Sequence, residues 1–293
     1  MHYSRCNMFF FMRFFNSLII VLVLLLFSST CIAAQDTQQQ QIELKNCTKV
    51  SLETSMGRIV VALYNDTPIH RDNFIKLVKE GYYDGLLFHR VINEFMIQGG
   101  DPTSRDADST AMLGSGGPGY TLPAEIKFPE HYHKRGALAA ARTGDSTNPN
   151  RRSSGSQFYI VTGSRIDNQA LGMIEMRLES QVCQNIFVNL VEQHRDSLMQ
   201  LQASGDTAAV VHAQQQLAAE TKAIYTKNPA FYSAEMKKTY TTVGGAPHLD
   251  AQYTVFGEVI EGMDVVDRIQ QVETNAANRP KHDVKIIKAT IVE

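Results

Sequence analysis

Period-two alternation of apolar residues, repeated in short runs along most of the chain, limits this sequence to a fold built on a sheet. From Val50 to Tyr64 the residues VSLETSMGRIVVALY alternate on both sides of Met56-Gly57, the signature of a β-hairpin. Strand-like runs then recur as LLFHRVI, FMIQGG, GALAAAR, SQFYIVTG, YTVFGEVI and VKIIKATIV, with glycine-rich turns between several of them. Helical periodicity within these parts is confined to residues about 67–80 and about 262–272. In the first helix Thr67 suits the N-cap, Pro68 the first helical position and Gly81 the residue just past the end. Phe74, Leu77 and Val78 form its apolar face. Many short strands with two helices predict a mainly β fold with some α, a closed antiparallel barrel capped by helices.

Between Arg165 and Pro247 the texture changes. Leu171, Ile174, Leu178, Val182, Ile186 and Leu190 recur at helical spacing, SGD at Ser204–Asp206 breaks the pattern, and Val210, Leu217 and Ile224 resume it. Two amphipathic stretches about a turn predict a helical hairpin, and a third short helix is expected after Pro229 through FYSAEMKKTY. Residues 165–247 therefore interrupt a β domain whose last strands come after them, giving a domain made of 48–164 and 248–293. Three roles stand open for this segment: a hairpin packed on the barrel, an arm that holds clients as a chaperone does, and a dimerisation element forming a four-helix bundle.

The N-terminus differs in kind. Arg5 and Arg13 precede the apolar run LIIVLVLLLF (Leu18–Phe27), followed by SSTCIAAQ. This pattern predicts a secretory signal peptide over residues 1–34, cleaved after Ala33 or Ala34, and an exported protein, periplasmic if the source is a Gram-negative bacterium. The clean run is shorter than the roughly 20 residues a membrane span needs. A membrane anchor and a lipoprotein attached through Cys31 are the alternatives. QDTQQQQ opens a polar linker over 35–47. Hydrophobic content of 43%, charged content of 20% and a net charge of −2 describe a globular chain and argue against a nucleic-acid partner. Two cysteines, Cys47 and Cys183, follow the signal, too few for a disulfide framework.

In FHRVINEFMIQGGDP (Phe88–Pro102) an arginine sits inside an apolar run. A guanidinium in a half-buried strand is costly unless something pairs with it or uses it. Together with GALAAARTG, GSQFYIVTG and YTVFGEVIEGMDVVDRI, this stretch resembles the core motifs of the cyclophilins, which are peptidyl-prolyl cis–trans isomerases. The similarity covers roughly Val50–Ser164 and Leu249–Glu293, and the segment between is not part of the common core. The resemblance implies an eight-stranded barrel and an isomerase of X–Pro bonds acting on flexible or unfolded proline-containing chains, without cofactor or metal. By motif position it implies that Arg90 is the catalytic donor and that Gln98 holds its guanidinium. Phe95, Met96, Phe158, Tyr159 and Leu249 would line the proline pocket, while Gln157 and the backbone around Ala141 and Arg142 would bind the substrate chain. Tyr159 stands where the family usually has phenylalanine, and Tyr253 where it often has histidine. His248 stands where many eukaryotic members carry a tryptophan that contacts cyclosporin, so weak cyclosporin binding is expected. A binding module that uses the pocket or the helical segment without turnover is the competing reading.

The remaining motifs are weaker. GSGGPGY (Gly114–Tyr120) lacks the ending of a phosphate loop and reads as a turn near the substrate groove. His131 and His133 lack a third metal ligand at convincing spacing and read as solvent-exposed, and Arg151 and Arg152 as a solvated loop.

Overall fold

The alternating segments form the strands of one sheet. A computed structural model describes residues 46–227, 229 and 231–292. The expected signal peptide and the linker up to residue 45 lie outside the described residues. The strands β1 (Thr48–Thr54) and β2 (Gly57–Leu63) form the hairpin about Ser55-Met56. They are joined by β3 (Arg90–Ile92), β4 (Met96–Gly99), β6 (Ala137–Ala140), β8 (Phe158–Val161), β9 (Val255–Glu261) and β10 (Ile286–Val292). The eight-stranded antiparallel sheet runs β10-β1-β2-β9-β6-β8-β4-β3, and β5 (Thr121–Leu122) and β7 (Ser153–Ser154) make a separate small pair.

The expected barrel is present as a curled sheet rather than a closed one. Its end strands β3 and β10 are not paired. Instead the chain ahead of β3 meets the start of β10: Gly85 N–H donates to the Ile286 carbonyl (2.8 Å), Phe88 N–H to the Val284 carbonyl (2.9 Å) and Ile286 N–H to the Leu86 carbonyl (2.7 Å). Strand β3 is only three residues long, and Val91 N–H bonds the loop carbonyl of Asn278 (2.8 Å), so no ladder can run along it.

The inner face of the sheet buries Val50, Leu52, Val61, Leu138, Phe158 and Ile160 against two helices. Helix α1 (Pro68–Lys79) contributes Phe74, Leu77 and Val78, as its periodicity predicts, and α6 (Met263–Gln270) contributes Val265, Val266 and Ile269. Thr67 occupies the N-cap of α1, but its hydroxyl forms no cap. The carboxylate of Glu125 does so from 55 residues away: it accepts the N–H groups of Ile69 (3.1 Å) and His70 (2.9 Å) and contacts His70 Nδ1 (2.7 Å). Burial lowers the pKa of His70 more than Glu125 raises it.

Among the described residues between β8 and β9 there are four α-helices, α2 (Asn168–Gln193), α3 (Arg195–Ser204), α4 (Thr207–Lys227) and α5 (Ala234–Thr242), followed by a 3-10 turn at Pro247–Leu249. Helices α2 and α4 pack side by side, and α5 packs on α2. Leu171 and Leu178 form a small core with Tyr232, Met236 and Tyr240. The break at His194 has no glycine or proline to announce it, and periodicity alone does not show it. The segment leaves and returns at one point. Gly245 N–H donates to the Ser164 carbonyl (3.1 Å), and a Cβ on Gly163 would lie 2.4 Å from the Gly245 backbone, so only glycine permits this crossing.

Replacing Glu125 by alanine strips two N–H groups of α1 of their acceptor and should cost about 2 kcal/mol of stability. Urea denaturation of Glu125→Ala measures this; an unchanged midpoint would show that solvent caps α1 equally well.

Candidate active site

Strand parity builds the site. Arg90 lies opposite Gln98 across β3 and β4, Gln98 lies opposite Tyr159 across β4 and β8, and Ala139 lies opposite Tyr159 across β6 and β8. Every second residue therefore faces away from the inner core. On that outer face Met96, Ala137, Ala139, Tyr159, Val161 and Val255 form a second apolar cluster, flanked by Phe95, Ala141, Leu249 and Tyr253. Parity also corrects one expectation. Phe158 cannot share a face with Tyr159; it is 1% exposed and packs edge-on against Phe74, Tyr83 and Phe88 in the inner core.

A cavity of 320 Å³ opens on the outer face. Phe95, Met96, Tyr159, Leu249 and Tyr253 supply its apolar walls, and Arg90 and Gln98 supply its polar edge. Ala141 and Arg142 line it as well. His248 lies outside the lining, with its ring 5.2 Å from that of Phe95. Gln157 lines an adjoining groove together with Gly114 and Gly116.

Arg90 is half-buried and makes no ion pair among the described residues. A chain of neutral amides holds it instead. Gln157 Nε2 donates to the carbonyls of Gly114 (2.9 Å) and Gly116 (2.7 Å), which can only accept. The Gln157 oxygen must then face Gln98, and it accepts from Gln98 Nε2 (3.0 Å). The Gln98 oxygen is thereby turned to Arg90 and accepts from Nη1 (3.2 Å). The other guanidinium N–H groups remain available at the cavity edge.

Asp101 fixes the start of this chain. Fully buried, it accepts the N–H groups of Gly114 and Gly116 and both donors of Thr103. Burial works to raise its pKa, but these hydrogen bonds outweigh burial and hold it below the usual carboxylate range. A Cβ on Gly116 would fall 2.1 Å from Asp101 Oδ1, so this loop position requires glycine.

The neighbouring charges are muted. Burial lowers the pKa of His89, which lines the cavity, so its ring is neutral at pH 7. The Arg142 guanidinium pairs with Asp145 (2.6 Å) and covers the Tyr253 ring at 4.4 Å. Ala141 uses its own N–H on the Gln157 carbonyl (2.9 Å) and its C=O on Ser154 N–H (2.8 Å), so it presents only its methyl group. The main chain of Arg142 makes no hydrogen bond among the described residues.

Two further expectations are corrected. His133 is not exposed; it is buried at 1% and bound to Asp250 and Tyr159, while His131 pairs with Asp66 (2.7 Å). Arg151 is no solvated loop residue: its guanidinium reaches Asp145 (3.0 Å), Asn185 in α2 (3.2 Å) and the Ala251 carbonyl (3.2 Å). Sequence reasoning missed His89, Leu113 and Ala277 in the cavity lining. Asp101 was in plain view as the end of QGGD, directly after the glycines that turn the chain.

Comparison with known proteins adds the family. The family model described as "Cyclophilin type peptidyl-prolyl cis-trans isomerase/CLD" matches residues 49–173 and 217–291. The chain belongs to the cyclophilin-type peptidyl-prolyl cis–trans isomerases. The "Putative peptidyl-prolyl cis-trans isomerase" of Staphylococcus saprophyticus is 31% identical over 250 residues, covering 85% of this chain and 93% of that protein. The "Putative bifunctional phosphatase/peptidyl-prolyl cis-trans isomerase" of Streptococcus pyogenes is 34% identical over 254 residues, 85% of this chain but only 40% of that protein. The crystal structure of a cyclophilin type isomerase from Cryptosporidium parvum superposes with a TM-score of 0.50 at 20% identity, covering 85% of this chain and 99% of that one, which shows the shared fold. The activity of this cyclophilin is isomerisation of peptidyl-prolyl bonds. The family match leaves out residues 174–216, most of α2, all of α3 and the start of α4.

Gln157→Leu cuts the amide chain and takes the side-chain donor from the carbonyls of Gly114 and Gly116. It should lower both stability, by about 1 kcal/mol, and isomerase turnover. Denaturation and peptide exchange measured on one preparation test this; full turnover would mean that Arg90 is held without the chain.

Proposed function

We propose that Arg90 catalyses X–Pro rotation by donating to the prolyl nitrogen while the pyrrolidine ring occupies the cavity formed by Phe95, Met96, Tyr159, Leu249 and Tyr253. One observation carries the reading: a half-buried guanidinium with no carboxylate partner among the described residues, held by the Gln98 amide at the edge of an apolar cavity. The X–Pro barrier of about 18–20 kcal/mol comes from amide resonance. As the bond twists, the nitrogen lone pair localises and becomes an acceptor, so a fixed donor binds the twisted state more tightly than the planar one. Arginine keeps its proton and holds a rigid fork. Neutral amides anchor the guanidinium without neutralising its charge, which a carboxylate would do.

The clients in this reading are flexible proline-containing polypeptides laid along the groove beside Gln157 and the main chain of Arg142. Export of enzyme and clients rests on the apolar run Leu18–Phe27. A mature N-terminus at Ala34 or Gln35, found by mass spectrometry of protein from the exported fraction, supports it; an intact Met1 there would exclude cleavage. We read residues 165–247 as an insertion into the cyclophilin core; the family match omits 174–216, the middle of that stretch, and includes its two ends.

Exchange NMR on an Ala-Pro peptide tests the mechanism. Wild-type protein should broaden the cis and trans resonances. Arg90→Ala should reduce the effect by about 100- to 1,000-fold while the cavity still binds peptide. Undiminished exchange in Arg90→Ala would remove Arg90 from the mechanism.

A further inference from the structure

The helical segment reaches the site through a buried carboxylate. Asp250 follows directly on Leu249, a wall of the cavity, and is 1% exposed. Its Oδ1 accepts the main-chain N–H of His133 (2.8 Å) and contacts His133 Nδ1 (2.9 Å). Its Oδ2 accepts the hydroxyl of Tyr240 (2.6 Å), a residue of α5. On the far side of the imidazole, Nε2 lies 2.9 Å from the hydroxyl of Tyr159. The four side chains form one continuous path from the helical segment to the proline pocket.

The direction of each hydrogen bond follows from the chemistry. Tyr159 is 4% exposed and its hydroxyl makes this one hydrogen bond among the described residues, so the arrangement that leaves no buried donor unpaired gives its proton to Nε2. Nε2 therefore accepts, the imidazole is neutral, and its proton is on Nδ1, aimed at a carboxylate that only accepts. Burial, reinforced by Tyr253 and by the charge of Asp250, keeps the Tyr159 phenol protonated. The hydroxyl is thus engaged by His133 rather than by a group in the cavity.

We propose that His133 and Asp250 are positioning residues that hold the Tyr159 hydroxyl out of the proline pocket, with Tyr240 of α5 as their outer support, so that the helical segment takes part in substrate binding. This rests on the reading of the cavity as the proline pocket. Without an acceptor at His133, the Tyr159 ring would have to shift for its hydroxyl to find another, and the cavity that ring lines is the space a pyrrolidine ring needs. A phenylalanine at 159 has no such need, and this separates positioning from mere core packing.

The test is a double-mutant cycle read by Kd for an Ala-Pro peptide, with exchange at saturation followed in parallel. His133→Leu should raise Kd about tenfold when residue 159 is tyrosine and less than twofold in a Tyr159→Phe background, the size expected when one buried donor loses its acceptor. Tyr240→Phe removes a single oxygen from the network and keeps its ring contacts with Tyr132 and Tyr232. It should raise Kd about threefold, again only with Tyr159 present, and it keeps the test decisive if His133→Leu does not fold. Imidazole nitrogen NMR should show Nδ1 protonated and Nε2 bare. Equal losses in both backgrounds, or an imidazolium at His133, would overturn the proposal. A wild type that binds the peptide without turnover would count against Arg90 catalysis and leave the coupling in Kd readable.

Discussion

A guanidinium that must stay charged and available cannot be anchored by a carboxylate, and the architecture of the site follows from that constraint. Arg90 is held through two glutamine amides whose orientation is dictated by carbonyls that cannot donate. Those carbonyls belong to a glycine loop that is itself held by a carboxylate, Asp101. The negative charge sits three hydrogen-bonded groups away from the cation. It fixes the geometry of the chain without neutralising the group at its far end.

A second chain obeys the same logic. Hydrogen bonds run from Tyr159 to His133 and on to Asp250, away from the cavity. His89 is neutral, and Arg142 is occupied by Asp145 and Tyr253. What remains at the cavity edge is a guanidinium with N–H groups to spare, facing aromatic and aliphatic walls. In such surroundings a donor interaction is stronger than in water, and fewer polar groups compete for it.

Much of this was legible in the sequence, and the reasons differ from residue to residue. Arg90, Met96, Gln98 and Tyr159 lie in strands whose alternation puts them on one face, so motif and parity agree. Phe158 was misplaced because motif resemblance was applied without parity, which alone excludes it from the face of Tyr159. Glu125 was hidden because the N-cap residue of α1 looked sufficient by type. His133 and Asp250 lie 117 residues apart, and their third partner, Tyr240, comes from a helix between β8 and β9, so no local signal joins them. The open edge of the sheet depends on β3 being three residues long, a boundary that periodicity does not define.

The attachment of the helical segment explains how a long excursion can coexist with a preorganised site. Its ends meet at the backbone crossing of Ser164 and Gly245, so the sheet sees little more than a short turn there. Closing a longer loop between two such fixed points adds only about 0.6 kcal/mol for each doubling of length. The returning chain then runs along His133 and Lys134, with Ala246 N–H on the His133 carbonyl (2.8 Å), before reaching Leu249. The residues that close the segment are therefore the residues that place the pocket wall. A tilt of α5 would act on Asp250 through Tyr240 and on Leu249 through the six residues that follow the helix, whereas Arg90 is anchored through the glycine loop. The two halves of the site are held by separate supports: the cation by the sheet and its loop, and the apolar wall in part by the helices.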